Sequence, residues 1–443
     1  MTLVPLEKVG RIVTGKTPKT SVPEYFGGNT PFVTPSDMSG ERKILSTGRT
    51  LSDAGLATVK NCFIPAGSIM VSCIGSDMGK AHLAAQASVT NQQINSIVIE
   101  DSKFDRLFVY YNLFGRRAEL RDKAAGAAQP ILNKTEFGKV TIDFPPLSEQ
   151  REIAGVLGAL DDKIEMNRKT AATLEAMARA LYRSWFVDFD PVWARLEGRA
   201  PAHMDPATAA LFPDRFTEDG LPEGWRWCEF GDHYDVLETG KRPKGGVKEI
   251  SEGVPSIGAE SIKNIGVFDY GKTKRIPREF FEGMRKGRLS DGDILVYKDG
   301  GKPGELRPAV TYISEGFPFN EACINEHVFR IRLAQDIGQH FGFLAISSET
   351  CMDQMRELAT GVAQPGLNQS AMNALLFMHP NNPEIIRAFN TLVQPLLDGC
   401  NEKAKESQTL ASLRDSLLPR LMSGELRVGA AREAGTGADH RGM

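Results

Sequence analysis

One long internal repeat constrains the fold of this 443-residue chain more than any other feature of its sequence. The segment Gly126–Asn133 (GAAQPILN) returns 235 residues later as Gly361–Asn368 (GVAQPGLN). The segment Thr14–Lys19 (TGKTPK) returns 225 residues later as Thr239–Lys244 (TGKRPK), and further matches keep the same order with offsets between 224 and 236. Because chance similarity does not stay collinear over such a distance, the sequence predicts two copies of one module of about 190 residues.

Each copy begins with a pattern typical of β-structure and ends with a long helical pattern. In the β-like part, short apolar runs such as residues 68–74 alternate with Gly, Asn and Asp turns. In the helical part of the first copy, nine of ten positions from Ile153 to Trp185, taken at alternating steps of four and three, are apolar. Such a stripe predicts one helix of about 37 residues, roughly 55 Å long. In the second copy the middle of the stripe is polar, and we expect Pro395 and Pro419 to kink or shorten the helix.

The predicted fold class is α+β, with two tandem β-rich domains separated by two long antiparallel, coiled-coil-like helices. Two equivalent helices in one chain can pack about a pseudo-two-fold axis, which would place the β-rich domains at opposite ends of a rod. Five prolines between residues 191 and 222 predict an extended linker with one short helix at most. The expected boundaries are β-rich domain 1 at 1–146, a central helix at 147–190, the linker at 191–220, β-rich domain 2 at 221–380, a C-terminal helix at 381–426 and a disordered tail at 427–443.

Charge is unevenly distributed along the chain. The net charge of −3 argues against a generally polybasic nucleic-acid binder, but DNA affinity follows the local charge that faces phosphate. Residues 272–288 hold seven basic and two acidic side chains, and the repeated Gly-Lys-x-Pro-Lys loop adds a basic cluster in both copies. Such clusters suit phosphates and guanine edges, although a solvated charged face is the alternative for any single residue. The basic side chains that we expect at a DNA interface are Lys16, Lys19, Arg42, Lys43, Lys241, Arg242, Lys244, Lys274, Arg275, Lys298 and Lys302.

Amide side chains form a second group of candidates, because an amide can both donate to and accept from the edge of adenine. Gln129 and Gln364 precede a proline at equivalent places of the repeat, so they could equally define a turn. Asn167 is the one polar residue in the apolar stripe; a buried Asn there most often fixes helix register, with DNA contact as the alternative. The amides considered are Gln92, Gln93, Gln129, Gln364 and Asn368, of which Gln92, Gln129 and Gln364 are the ones we expect to bind DNA.

Motifs for catalysis are weak in this sequence. Residues 10–17 match the P-loop pattern formally, but Pro18 and the residues after it cannot open the helix that a phosphate site needs. Residues 37–43 resemble a nuclease motif, but the spacing is short and the second copy lacks it. The sequence therefore predicts no catalytic residue. The alternatives are a protein with its own nuclease or nucleotide hydrolase activity, through Lys16 or Asp37, and a coiled-coil scaffold.

The cysteines and the hydropathy pattern bear on location. The six cysteines are scattered and form no C-x-x-C pair, which predicts reduced thiols and no metal site. The chain has no run of about 18 apolar residues that could span a bilayer. We therefore expect a cytoplasmic protein.

Five segments carry a family resemblance. They are residues 145–154 (PPLSEQREIA), 174–181 (LEAMARAL), 184–191 (SWFVDFDP), 221–225 (LPEGW) and 413–426 (LRDSLLPRLMSGEL). Through them the chain resembles the specificity subunits of Type I restriction-modification systems over essentially its whole length. One departure is the start of the second long helix, residues 381–386 (NNPEII), which lacks the S-E-Q-R pattern and suggests that the two helix starts engage partners differently.

The resemblance implies a function and a set of partners. Each β-rich domain would be a target-recognition domain that reads one half of a split site in double-stranded DNA, and the helices would set the gap between the halves. Two methyltransferase subunits, which bring S-adenosylmethionine, would dock on the helices and the linker. A translocase-nuclease subunit that uses ATP and Mg would join for restriction. The chain itself would be a non-catalytic subunit of a DNA adenine methyltransferase and endonuclease complex, without a cofactor of its own.

Overall fold

The computed structural model describes residues 2–75, 77–99, 102–122, 131–247, 250–302, 305–314, 316–359 and 366–428. It is 43% helical and 23% strand, which confirms the predicted α+β class. The chain divides into two compact units, and each long helix contributes residues to both. Unit 1 takes the described residues of Met1–Glu165 and Thr409–Met443, and unit 2 is formed by those of Met166–Gln408.

Most of the helices are short, and two are very long. The helices are α1 (Leu6–Val9), α2 (Asp53–Thr58), α3 (Arg106–Gly115), α4 (Arg117–Asp122), α5 (Lys134–Gly138), α6 (Leu147–Phe186), α7 (Asp190–Leu196), α8 (Pro206–Ala210), α9 (Arg278–Glu282), α10 (Gln339–Ile346), α11 (Glu349–Leu358), α12 (Gln369–Asn373) and α13 (Pro383–Met422). The long helices α6 and α13 have 40 residues each.

The strands of unit 1 form three sheets. They are β1 (Thr2–Pro5), β2 (Gly10–Thr14), β3 (Phe26–Val33), β4 (Lys43–Ile44), β5 (Thr50–Leu51), β6 (Phe63–Ile64), β7 (Ile69–Ser72), β8 (Ala81–Ala84), β9 (Ser88–Thr90), β10 (Ile94–Ile99) and β11 (Thr141–Phe144). The sheet orders are β1-β11, β2-β10-β7-β8-β4 and β5-β3-β9-β6. In the third sheet β3 and β9 run parallel, with Phe32 opposite Val89.

The strands of unit 2 repeat this arrangement. They are β12 (Trp225–Glu229), β13 (Tyr234–Thr239), β14 (Val254–Ile257), β15 (Lys274–Ile276), β16 (Ile294–Tyr297), β17 (Gly301–Lys302), β18 (Glu305–Leu306), β19 (Ala309–Tyr312), β20 (Cys323–Ile324), β21 (Val328–Leu333) and β22 (Leu376–Pro380). The orders β12-β22, β13-β21-β16-β19 and β15-β14-β20 correspond to β1-β11, β2-β10-β7-β8 and β5-β3-β9 of unit 1. Among the described residues of unit 2, β4 and β6 have no counterpart, and β17-β18 is an added hairpin. The strands β14 and β20 are again parallel, with Ser256 opposite Cys323. The two copies that the sequence repeat predicts therefore share one topology.

The apolar stripe of α6 is buried as predicted. Each of its ten positions from Ile153 to Trp185 is buried or half-buried. Asn167 is 2% exposed, so its side chain fits the register interpretation and not a DNA contact. Within unit 2, Ala171 lies against Cys400 and Tyr182 against Phe389, so residue numbers rise along α6 as they fall along α13. The two segments pack antiparallel there.

The expectation that prolines shorten the second helix was wrong. Helix α13 continues from Pro383 to Met422 through Pro395 and Pro419. Both internal prolines are exposed, so the carbonyl groups that lose a helical donor can turn to water.

The expectation of an extended linker was also wrong. Residues 191–220 include the last six residues of α7 and all of α8, where one short helix at most was expected. Val192 and Phe212 are 0% and 2% exposed. The ring of Phe212 lies 5.1 Å from that of Trp185 and 6.3 Å from that of Trp225. Burial of these large apolar groups folds the segment onto unit 2, because each contributes roughly 2 kcal/mol when removed from water.

Candidate DNA interface

The repeated basic loop of unit 2 follows β13 and is shaped by one close backbone approach. The N–H of Gly240 donates to the carbonyl oxygen of Asn325 at 3.2 Å. A Cβ atom at Gly240 would lie 1.6 Å from the carbonyl oxygen of Ile324, so only glycine fits. The loop then turns outward, and the side chains of Lys241 and Lys244 are exposed.

Unit 1 builds the same loop in the same way. The N–H of Gly15 donates to the carbonyl oxygen of Ile94 at 3.2 Å, and a Cβ atom there would lie 2.1 Å from the carbonyl oxygen of Asn91. Lys16 and Lys19 are exposed. The glycine of the repeated motif thus has a packing role, and the lysines beside it remain available to a ligand.

Folding brings further basic residues to the loop of unit 2. A Cβ atom at Gly287 would lie 2.8 Å from the Cα of Gly240, so the segment before Gly287 lies beside the basic loop. Arg285 and Lys286 in this segment are exposed, and among the described residues neither has an ion pair. We define the unit 2 basic surface as Lys241, Lys244, Arg285 and Lys286. The sequence prediction counted Arg285 and Lys286 within 272–288 but omitted them from the candidates, because their neighbour Gly240 is far away in sequence.

A smaller basic surface lies in unit 1. Burial raises the pKa of the Cys62 thiol, and the positive charges of Lys16 and Lys134 partly oppose this shift. We define the unit 1 basic surface as Lys16 and Lys19, which are both exposed. Lys134 is also exposed and directly follows the repeated segment that ends at Asn133, but the sequence prediction did not include it.

Of the DNA-binding candidates predicted in unit 1, Gln92 and Lys43 are exposed, whereas Arg42 is bound to other groups of the protein. Gln92 is exposed, and its Oε1 accepts a hydrogen bond from the Thr17 hydroxyl at 2.6 Å, which places it at the basic loop. Lys43 is exposed at the edge strand β4. The side chain of Arg42 is 8% exposed and lies 2.5 Å from Asp162. Its role as a DNA contact stays a prediction, and its present partners are protein groups.

Comparisons with known proteins agree with this geometry. Residues 1–176 match the family model for the Type I restriction modification DNA specificity domain. The MjaIX specificity subunit of Methanocaldococcus jannaschii is 26% identical over 96% of this chain and 93% of its own length. The HindI specificity subunit of Haemophilus influenzae is 25% identical over 67% of this chain and 71% of its own. The chain is therefore similar to the specificity subunits of Type I restriction-modification systems over almost its whole length, and residues 1–176 match their DNA specificity domain. The resemblance stated from its sequence is confirmed.

The fold of this chain also resembles that of a solved structure. The crystal structure of the Type-I restriction-modification system S subunit from M. genitalium matches 95% of both chains with a TM-score of 0.54 and 14% sequence identity. At that identity the likeness concerns the fold, and it extends over both modules.

Several side chains of unit 2 that were predicted to contact DNA are paired with protein groups. Lys274 lies 2.8 Å from Glu260, and Arg275 donates to the carbonyl oxygen of Gly253 at 2.8 Å. Burial of Glu260 opposes its ionisation, but the hydrogen bond and charge of Lys274 outweigh this and lower the pKa of the carboxyl. Lys298 lies 3.3 Å from Asp299. These three cations already have partners within unit 2, so a role in DNA contact stays a prediction.

The repeated segment that contains Gln129 and Gln364 is described only in part. Both glutamines and the side chain of Lys302 lie outside the described residues, so their roles stay predictions. The described end of the segment is structural: Asn133 accepts from the N–H of Glu136 at 2.9 Å and so caps α5. Asn368 caps α12 in the same way, by accepting from the N–H of Ala371 at 2.8 Å. A capping role accounts for Asn368 without a base contact.

The motifs for catalysis lack the geometry they require. The strand β2 is followed by an irregular segment at residues 15–19, so no helix N-terminus faces the P-loop-like residues. Asp37 accepts from the N–H groups of Thr34 at 2.8 Å and Gly48 at 2.9 Å, which is a turn-stabilising role. Within the described part of the chain, no group of three or more metal-ligating side chains occurs.

Among the same residues, none of the helices combines the length and apolar character needed to cross a membrane.

Proposed function

We propose that this specificity subunit reads a bipartite DNA sequence, one half-site with each module, as the non-catalytic member of its complex. We take residues 1–146 and 221–380 as the two target-recognition domains. The observation that carries the proposal is the basic loop, which is fixed in both units by a glycine against a backbone carbonyl and presents exposed lysines at equivalent positions. Such lysines suit phosphate contacts that position a protein on the duplex.

The proposal includes the partners that the sequence resemblance implies. Two methyltransferase subunits would dock on the long helices and the linker and supply S-adenosylmethionine. Translocase-nuclease subunits would supply ATP- and Mg-dependent restriction. Large apolar side chains are exposed on α6 and α13, namely Met166 at 61%, Met177 at 49% and Leu392 at 40%, and they support a protein-binding role for these helices. A cytoplasmic location completes the proposal.

Methylation mapping tests the bipartite site. The chain would be co-purified with its methyltransferase subunit, and the methylated sequences would be read from treated genomic DNA. We expect two short motifs that flank an unspecified gap. A continuous motif, or methylation without sequence preference, would contradict the proposal. Turnover of DNA or ATP by the purified chain alone would favour the enzymatic alternative.

The salt dependence of DNA binding tests the basic surfaces. Replacement of Lys16 and Lys19, or of Lys241 and Lys244, by Ala should weaken binding to all sequences, because phosphate contacts carry no sequence information. The slope of log affinity against log salt should fall by about 0.9 for each contact removed. Arg356→Ala, a change at an exposed residue of α11 that pairs with Asp353, is the matched control. An unchanged slope would remove the loops from the phosphate-contacting set.

A further inference from the structure

The side chains beside the two basic loops differ in kind. In unit 1 they are neutral, because Gln92 and Thr17 bond to each other next to Lys16. In unit 2 they include two cations and two carboxylates, which a histidine links into one network. We define the charged cluster of unit 2 as Arg242, Glu326, His327, Asp299 and Lys298.

The contacts of the charged cluster run from the loop surface inward. The Nε of Arg242 lies 3.1 Å from Oε1 of Glu326. His327 lies between two carboxylates, with Nε2 at 3.3 Å from Oε1 of Glu326 and Nδ1 at 2.8 Å from Oδ2 of Asp299. Lys298 lies 3.3 Å from Asp299. His327 therefore links the pair of Arg242 and Glu326 to the pair of Asp299 and Lys298.

Exposure separates the outer from the inner members. The side chains of Arg242, Glu326 and His327 are 34%, 39% and 38% exposed, whereas those of Lys298 and Asp299 are 21% and 22% exposed. Arg242 directly follows Lys241 of the unit 2 basic surface. A duplex whose phosphates meet that surface would bring base edges close to Arg242 and Glu326. Side chains that are positioned by supporting hydrogen bonds before binding make the most selective contacts.

The chemistry of the outer pair matches one kind of base pair. A guanidinium can donate twice to O6 and N7 of guanine, and a carboxylate can accept from the N4 amine of cytosine. Resting on the proposed function, we propose that Arg242 and Glu326 are specificity-determining residues that read a G·C pair in the half-site bound by unit 2. In free protein the two side chains satisfy each other. On DNA each takes its base partner.

Glu326 can accept from such an amine through Oε1. This oxygen serves both Arg242 and His327 in the free protein, and it loses the first of these donors when Arg242 binds guanine. Oε2 is buried and has no hydrogen-bond partner among the described residues, so it is not the oxygen that meets the duplex. Unit 1 has no counterpart of this cluster within its described loop, where Gln92 keeps its amide group exposed and stays the predicted reader of adenine.

The test is selection from a randomised duplex library by the intact complex of this chain with its methyltransferase subunit. For Glu326→Gln and Arg242→Lys we expect one G·C position in one half-site to lose about tenfold of its discrimination. Arg242→Lys retains the positive charge and loses the two-pronged geometry, so a purely electrostatic role predicts no change. Gln92→Ala is the matched control, and we expect it to alter only the other half-site.

The outcomes separate the inference from the proposed function. A wild-type complex that selects no bipartite motif contradicts the proposed function. A bipartite wild-type motif that stays unaltered in both variants contradicts the inference alone. Equal weakening of all sequences also contradicts it, because that is the signature of a phosphate contact. Retained selection of the unaffected half-site in each variant shows that the chain still folds and assembles.

Discussion

The two units connect their long helices by different chemistry. In unit 1 the helices meet at a buried ionic cluster of Asp161, Arg414 and Tyr111, which we call the unit 1 joint. Asp161 of α6 accepts from Arg414 of α13 at 2.6 Å and from the Tyr111 hydroxyl at 2.7 Å. The helix offset of 236 residues relates Asp161 to Leu397 and Arg414 to Ala178, both of which are fully buried in unit 2. One topology is therefore compatible with an ionic joint in one unit and with an apolar joint in the other.

The electrostatics of the unit 1 joint explain how charges are kept there. Burial opposes the charge of Arg414, but the nearby carboxylate of Asp161 outweighs it and raises the pKa of the guanidinium. Burial and the same carboxylate raise the pKa of Tyr111, which keeps its hydroxyl protonated as a donor. Arg414 also lies 4.9 Å from the ring of Phe114. The joint is satisfied only while all its members are present.

Beside the apolar joint of unit 2, α6 and α13 also pack through aromatic rings. The ring of Phe389 on α13 lies 4.9 Å from Phe186, 5.3 Å from Trp185 and 6.1 Å from Phe341. Aromatic groups bury large areas, and their edge-to-face pairs add to that gain. We therefore expect unit 2 to depend on packing volume where unit 1 depends on charge pairing.

The largest effect is expected from Phe389→Ala. Removal of this fully buried ring leaves a cavity among the aromatic groups and should destabilise unit 2 by about 3–5 kcal/mol. Hydrogen exchange of the unit 2 core strands measures the change. Leu392→Ala, at a residue that is 40% exposed and one turn along the helix, is the control and should lie within about 0.5 kcal/mol of wild type. Equal effects of the two changes would contradict the aromatic packing.

The next effect is expected from Asp161→Ala. The change leaves Arg414 and Tyr111 buried without their acceptor and should destabilise unit 1 by about 3 kcal/mol. Asp162→Ala is the matched control, because Asp162 is 67% exposed and its pair with Arg42 should contribute about 1 kcal/mol or less. Hydrogen exchange of β7 and β10 reports the difference. A control as damaging as Asp161→Ala would mean that burial does not decide the cost.

The features that could be predicted from the sequence are those with local spacing. The apolar stripe from Ile153 to Trp185 is visible because its residues recur at steps of three and four. The repeated glycines are visible because they stand at equivalent positions of the two copies. The joint of Asp161 and Arg414 connects residues 253 apart in sequence, and no local pattern marks such a pair. Burial of the linker was missed for the same reason, because Trp185 and Trp225 meet Phe212 only in the folded unit. Arg285 likewise reaches the basic loop through tertiary contact alone.

A smaller change in stability is expected when the ionic joint of unit 1 is replaced by the apolar residues of unit 2, and this exchange compares the two units directly. The double change Asp161→Leu with Arg414→Ala copies Leu397 and Ala178 of unit 2 into unit 1. Because it removes both charges together, it should return the stability of unit 1 to within about 1 kcal/mol of wild type, the remainder being the lost acceptor of Tyr111. The measurement is the same hydrogen exchange. If the double variant is as unstable as Asp161→Ala, the ionic joint of unit 1 cannot be replaced by the apolar residues of unit 2, and the two positions are not structurally equivalent.

The smallest effect is a dependence on pH that both units should share. Burial lowers the pKa of His82 in unit 1 and of His379 in unit 2 from the ordinary value of 6.5. Above pH 6.5 a histidine whose pKa is lowered by folding is neutral in both the folded and the unfolded state, so it does not change the free energy of unfolding. Below pH 6.5 the unfolded state binds the proton more readily than the folded state, so the stability of the unit falls as the pH falls. Denaturation from pH 7.5 to 5 should therefore show both units weakening below about pH 6.5. His379→Gln should flatten the profile of unit 2 and leave that of unit 1 unchanged, whereas a parallel change in both units would show that the pH response arises outside these two side chains.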